Sequence, residues 1–334
     1  MNSIEIEVCI PTYKRVDKLI EQVENLLVQL GPNDIVKIYD NDLIDEDTVS
    51  KLISDSRVIY MRNSVNIGLT SNISTCFENI SKPWFWLLSD DDPVKYNAVA
   101  IIKETIIDND EPEFINFSTE LMDSRKENLI CKGMESSFKQ LDSFSNLLLI
   151  SNNVYKREFI LPALSLIRHG CCMSGPQLVP FFLPKKNSNT TVLYSCKSIV
   201  HWGGGDKENS WNRCTFFNVF SYLDLVEEEY KEIVFCKISL NMNKESIFKF
   251  YLSLLYGVTE YNQKYTSLLL LMKLRVYYEN FGSFGDRMIL KSAQISIKYM
   301  PNISRKILDY LAKRIRSKSM KDYLHQVRKL EMYI

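Results

Sequence analysis

Histidine is scarce in this sequence, with three in 334 residues, and none of its eight cysteines forms a CxxC pair. No zinc-site spacing can be built from that set, which excludes zinc fingers and zinc hydrolases of the usual ligand patterns. Scattered single thiols do not make a disulfide framework and fit a reducing compartment. The N-terminus shows no basic region followed by an apolar stretch and cleavage site, so no secretory signal is expected, and the predicted location is the cytoplasm. Long hydrophobic runs are also missing. The longest, such as Ser267 to Met272, are far too short to span a bilayer. An excess of one charge is missing too, with 41 Lys and Arg against 41 Asp and Glu. Without that excess, and without an RNA-binding or helix-turn-helix signature, nucleic acid is not the expected partner.

What is present describes a folded protein. The chain is 46% hydrophobic and 25% charged, enough to bury one large core or two smaller ones. The zero net charge hides an asymmetry. From Arg287 to Ile334 there are 12 Lys and Arg against 3 Asp and Glu, so the preceding residues are acidic by the same margin. A basic tail on an acidic body points to an anionic partner for the tail.

The first hundred residues alternate strand and helix patterns. Ile4 to Ile10 reads as a strand stopped by Pro11. Arg15 to Leu30 carries apolar residues at helical spacing and stops at Gly31-Pro32. Strands follow at Ile35 to Tyr39, Val58 to Met61 and Trp84 to Leu88, with a helix at Ser71 to Ile80. Such alternation predicts an α/β fold with a mostly parallel sheet, whose ligands bind beyond the carboxyl ends of the strands. Thr12, Asp40 and Asp90 to Asp92 stand at those ends. The middle is less regular, with a strand at Phe114 to Ser118 and a helix at Phe138 to Leu149. A glycine-rich segment, Gly203 to Gly205, marks the expected boundary between domains 1–212 and 213–334. Beyond it the predicted helices are Phe216 to Ile233, Ile247 to Tyr256, Tyr261 to Glu279 and Ile303 to Lys329.

Ser89-Asp90-Asp91-Asp92-Pro93 follows a fully apolar strand. Three adjacent carboxylates repel one another unless a cation or solvent screens them. Two readings stand at this point: a site for Mg²⁺ or Mn²⁺, which take one or two carboxylates and fill the rest with water and phosphate, or a solvated turn capping the next helix.

Together these pieces resemble the N-terminal half of the family 2 glycosyltransferases, which have the GT-A fold. The matching residues are Ile10-Pro-Thr-Tyr-Lys-Arg15, Tyr39-Asp-Asn41, Arg62-Asn-Ser-Val-Asn-Ile-Gly68 with Asn72, and Leu88-Ser-Asp-Asp-Asp92, the family's DXD-type element. The subgroup most resembled builds bacterial O-antigen, capsule or other surface polysaccharides. The resemblance implies a Rossmann-like GT-A catalytic domain followed by a helical region. It also implies a nucleotide-sugar donor (UDP-sugar as the default), Mn²⁺ or Mg²⁺, and an inverting displacement onto a glycan or polyprenyl-linked glycan acceptor. Pro11, Thr12, Tyr13, Arg15, Asp40, Asn41, Asn66, Gly68, Asn72, Asp90 and Asp91 would line the donor site, with Asp40 accepting the pyrimidine N3–H. Asp92, Asp90 and His201 would serve the metal. Lys14 and Ser71 depart from the family pattern: Asn is common at the first position and a phosphate-contacting Arg at the second.

The segment His169 to Val179 stands where the family carries a carboxylate base, yet it contains none, and Gln177 cannot deprotonate a hydroxyl. Asp206 and Glu208 are the candidate bases, beside glycines that would allow a lid to close and exclude water. The amphipathic basic pattern of residues 303–330 has two readings: a surface lying on an anionic membrane, or a packed helix with a solvated basic face. One alternative function keeps the fold: a nucleotidyltransferase, against which stands the glycine-free turn Pro11 to Arg15. The other is a non-enzymatic adaptor that binds nucleic acid through the basic tail.

Overall fold

A computed structural model describes residues 4–42, 44–119, 125–142, 144–169, 175–183, 190–201, 217–239, 251, 254–255 and 264–314. The chain divides into two compact units, one made of Met1–Ser210 with Tyr222–Ile233 and the other of Trp211–Ser221 with Val234–Ile334.

The first unit is built on an eight-stranded sheet in the order β3-β2-β1-β4-β7-β5-β8-β6. Its strands are β1 Ile6–Thr12, β2 Ile35–Asp40, β3 Val58–Arg62, β4 Trp84–Leu87, β5 Phe114–Phe117, β6 Leu129–Lys132, β7 Asn153–Lys156 and β8 Thr191–Ser195. β1 to β4 are mutually parallel, as are β5 and β8, while β7 and β6 run antiparallel to their neighbours. The helices α1 Val16–Leu27, α2 Glu46–Leu52, α3 Leu69–Glu78 and α4 Ala98–Asp108 follow the first four strands. The alternation of the first hundred residues therefore becomes a parallel sheet with crossover helices, as predicted.

The centre of that sheet is buried throughout. All seven residues of β1 and all four of β4 are buried. This changes the meaning of the apolar–acidic alternation in β1, since Glu7 does not face water. It pairs with Lys37 on β2 at 2.8 Å and accepts from the Ser81 backbone at 2.8 Å and hydroxyl at 2.7 Å. A buried carboxylate is stable only with this degree of satisfaction. Asp34 is handled similarly, accepting from the Ile6 and Gly31 backbones and pairing with Lys103 at 2.6 Å.

Three strands, β6, β7 and β8, were not expected from the sequence. The helix expected over Phe138 to Leu149 is two short ones, α5 Met134–Gln140 and α6 Phe144–Leu148, parted by an extended Leu141. Four asparagines buried nearby, Asn116, Asn146, Asn152 and Asn153, hold this region by side-chain hydrogen bonds of 2.7 to 2.8 Å. Arg125 adds a bidentate pair with Asp142 at 2.8 and 2.9 Å.

The second unit contains α7 Lys231–Ser239 in its Val234–Ser239 part, α8 Lys264–Phe281, α9 Phe284–Tyr299 and α10 Pro301–Arg314. α9, opened by a Ser283 cap on Asp286, was not predicted. The expected helix at Phe216 starts as a 3₁₀ segment, Phe217–Asp224. The helix expected over residues 303–329 is described as far as Arg314.

Candidate active site

Because β1 is flanked by β2 on one side and β4 on the other, the chain order reverses beside it. A crevice at the carboxyl ends of parallel strands belongs at such a switch point. The side chains there come from several segments.

At the β4 end, Asp90 is buried and accepts the Thr12 hydroxyl at 2.7 Å and Arg15 Nη1 at 2.8 Å. The same Arg15 nitrogen reaches Asp91 Oδ2 at 3.1 Å. Burial pushes the Asp90 carboxyl above its ordinary range, against the pull of the Thr12 hydrogen bond and the Arg15 charge. Asp91 and Asp92 are half-buried. Asp91 also accepts the Ser89 hydroxyl, and Asp92 accepts the Ser151 hydroxyl at 2.6 Å. Gln22 of α1 closes the turn from below, donating to the Ser89 and Asp92 carbonyls at 3.0 and 2.7 Å.

Asp40 ends β2 and is fully buried. Its Oδ1 accepts the Asp42 backbone N–H at 2.8 Å, and its Oδ2 accepts the Tyr60 hydroxyl at 2.6 Å. Burial, with the hydrogen bond to Asp40, pushes the Tyr60 phenol up to about 12. Arg62 donates to the Ile44 carbonyl and stands 4.0 Å from Asp40.

The loop 63–68 is tied down by amides. The Asn41 oxygen accepts from the Asn63 side chain at 2.9 Å and the Ile67 backbone at 3.3 Å, while its amide donates to the Gly68 carbonyl at 3.2 Å. Asn72 binds the Tyr39 carbonyl at 2.9 Å and accepts from Asn63 at 2.9 Å. The Asn66 side chain accepts the Gly68 N–H at 2.9 Å, and Gly68 has φ +82°, a left-handed conformation suited to glycine. Asn41, Asn66 and Asn72 thus shape this loop through hydrogen bonds within the chain.

Lys14 also lies in the left-handed region, at φ 56°. That conformation turns the chain from β1 into α1 and brings Arg15 onto the acidic turn. It explains a preference for Asn there, since Asn tolerates left-handed backbone and a long side chain does not. Tyr13 and Lys14 are exposed, with the Lys14 ammonium 5.1 Å from the Tyr13 ring centre.

His201 is carried to the same place. Its N–H donates to the Pro93 carbonyl at 2.8 Å, and Val200 forms an antiparallel bridge with Val94. The side chain is exposed. Asp206, Glu208 and the glycine triplet lie outside the described residues, whereas Gln177 is buried and donates to the Leu148 carbonyl at 3.0 Å. Of the residues that shape the crevice, sequence reasoning missed Gln22, Tyr60, Asn63 and Ser151. Only Asn63 carried a signal, from its place in the 62–68 motif.

Three carboxylates in a row, with a guanidinium seated on two of them, form a place that calls for positive charge. Among the described residues, no three His, Cys, Asp or Glu side chains converge on one point. A divalent ion that keeps its waters and shares a diphosphate needs only one or two carboxylates. The residues present fit such a substrate-completed site and do not fit an all-protein cage.

The family model for glycosyl transferase family 2 matches residues 7–115. The abequosyltransferase RfbV of Salmonella typhimurium is 29% identical over 110 residues, covering 31% of this chain and 33% of that protein. The match thus spans about a third of the length of that curated relative. Among solved structures, S. aureus TarS 1-349 in complex with UDP-GlcNAc has a TM-score of 0.62 at 11% identity, over 91% of this chain and 92% of that one. The mannosyltransferase PcManGT from Pyrobaculum calidifontis, in complex with GDP-Man and Mn²⁺, has a TM-score of 0.51 at 10% identity, over 98% and 87%. At those identities the structures speak for the fold alone, and it is the expected GT-A fold. Over residues 7–115 the chain is thus similar to the family 2 glycosyl transferases.

Proposed function

We propose that this chain transfers a sugar from a nucleotide-diphosphate donor to a glycan or lipid-linked glycan acceptor in bacterial surface-polysaccharide synthesis. The observation that carries this reading is the meeting of Thr12 and Arg15 with Asp90 at the β1–β4 switch point, beside the acidic turn. The nucleoside lies against Pro11 to Tyr13 and the loop 63–68, and the diphosphate lies over Asp90 to Asp92. Asp92 and the neighbouring His201 would hold Mn²⁺ or Mg²⁺. The ion, when bound, neutralises charge developing on the departing diphosphate. A UDP-sugar remains the default donor. Attack with inversion requires a base at the acceptor hydroxyl, for which Asp206 and Glu208 are the candidates.

Asp40 would read the ring N–H of the base. Its Oδ2 now receives the Tyr60 hydroxyl, so the base N–H takes that place when the nucleotide binds.

The second unit offers a surface suited to a membrane. No described helix is long and apolar enough to cross a membrane. On α10, Ile303, Ile307, Tyr310 and Leu311 recur at helical spacing and are 44 to 59% exposed, beside Lys306 and Arg314. An exposed apolar row flanked by cations suits a helix lying on an anionic bilayer. This reading places the protein peripherally on the inner face of the plasma membrane.

The test is calorimetric titration of UDP, GDP, CDP and dTDP, with Mn²⁺ and with EDTA, on the wild type and Asp92→Ala. Metal-dependent binding of one nucleotide, lost in the variant, is expected. A folded wild type that binds none of the four would overturn the donor site.

A further inference from the structure

Lys14 is the anomaly of the crevice. Its backbone is left-handed, a state that glycine and asparagine enter readily and lysine does not. The turn needs that backbone, since the next residue, Arg15, must reach Asp90 and Asp91. It does not need lysine. Either Gly or Asn would make the same turn with less strain, so the side chain has to be explained separately.

Its surroundings suggest what it does. Among the described residues, three cations stand near these strand ends: Lys14, Arg15 and Arg62. Arg15 is engaged by Asp90 and Asp91, and Arg62 by the Ile44 carbonyl and Tyr60. Lys14 is exposed and, among the described residues, has no carboxylate within ion-pair distance; it rests on the Tyr13 side chain and feels the charge of Asp42 from beyond that distance. The first turn of α3, across the crevice, reads Leu69-Thr-Ser-Asn72 and carries no cation. Lys14 is two residues from Thr12, whose hydroxyl touches Asp90. Its stem therefore starts beside the acidic turn.

We infer that Lys14 is a donor-binding residue whose ammonium contacts the diphosphate of the nucleotide, retained at this turn despite the backbone strain. The inference rests on the crevice being a nucleotide site. An ammonium exposed on an aromatic face remains available to a phosphate, because that contact is weak. An ammonium already locked to a carboxylate would not.

The experiment compares wild type, Lys14→Asn and Lys14→Arg in two measurements. The first titrates UDP, GDP, CDP and dTDP with Mn²⁺ and, for the base that binds, its nucleoside. The second records thermal unfolding without ligand. Lys14→Asn is expected to weaken the diphosphate by roughly tenfold, as for one charge-assisted contact, and to leave the nucleoside unchanged. It should also melt higher, by about 2–4 °C, because the turn is relieved. Lys14→Arg should keep the affinity and gain no stability. Wild-type binding with equal affinity in Lys14→Asn would overturn the role of Lys14 and leave the donor site standing. Equal losses for nucleoside and diphosphate would also overturn it, by assigning Lys14 to the base. A wild type that binds nothing would remove both the donor site and this contact.

Discussion

Ser151 donates its hydroxyl to Asp92 at 2.6 Å and accepts the backbone N–H of Ser89 at 3.0 Å. One side chain, about sixty residues away in sequence, thus spans both ends of the acidic turn. Ser151→Ala leaves two partly buried groups without this partner, so a loss of about 1–3 kcal/mol in thermal or denaturant unfolding is expected. Metal-dependent nucleotide affinity should fall with it, since Asp92 loses its orientation. Unchanged affinity in calorimetry would mean that Asp92 is held by its other contacts.

Asp90 offers a prediction in pH. Its folded-state pKa is raised by burial, so between the ordinary Asp value, about 3.9, and the raised one the folded state binds more proton than the unfolded state. Stability from this group therefore falls as pH rises through that window. Asp90→Asn removes the penalty. The variant should melt above wild type at pH 7, with the difference shrinking toward pH 3. A variant less stable than wild type at pH 7 would contradict the sign.

Arg15 acts as the counter-charge for the turn. Arg15→Ala leaves Asp90 buried without its cation and should cost about 1–3 kcal/mol of stability. Added Mn²⁺ should then raise the melting temperature of the variant more than that of wild type, because an ion can take the vacated place. An equal response in both proteins would mean that the guanidinium and the ion do not share the site.

Tyr60 remains a hydrogen-bond donor to Asp40 across the working pH range, because its phenol titrates only near 12. Tyr60→Phe should lower stability by about 1 kcal/mol. It should also bind the preferred nucleotide at least as tightly, since the base no longer displaces a hydroxyl. Weaker binding would mean that Tyr60 holds Asp40 in its binding pose.

The α10 face is testable without catalysis. Flotation with vesicles containing anionic phospholipid should carry the wild type at low salt, and Ile307→Asp/Leu311→Asp should remove most of that binding. Neutral vesicles floating the protein equally would favour a purely apolar contact.

Much of the first hundred residues was legible from local signals. Strand and helix periodicity named β1 to β4, α1 and α3, because these elements alternate regularly and end at Pro, Gly or Asp. The acidic turn was visible because three carboxylates after an apolar strand are chemically conspicuous. Glu7 was misleading: alternation reads as a half-exposed strand, and only packing against β2 reveals the Lys37 that lets it stay inside. β6 and β8 were hidden for a related reason, since these short strands draw their pairing from distant partners.

Composition and local order by themselves determined the fold class, the candidate crevice at the strand ends, the asymmetry of charge and the absence of a long apolar span. Those properties are set by residue type and spacing along the chain. Tertiary structure decided that Thr12 and Arg15 engage Asp90, that Ser151 supports Asp92, that Tyr60 covers Asp40 and that His201 returns beside Pro93. Each of these pairs joins residues far apart in sequence or on different strands. Their hydrogen bonds exist only once the sheet order is formed, and no local pattern encodes that order.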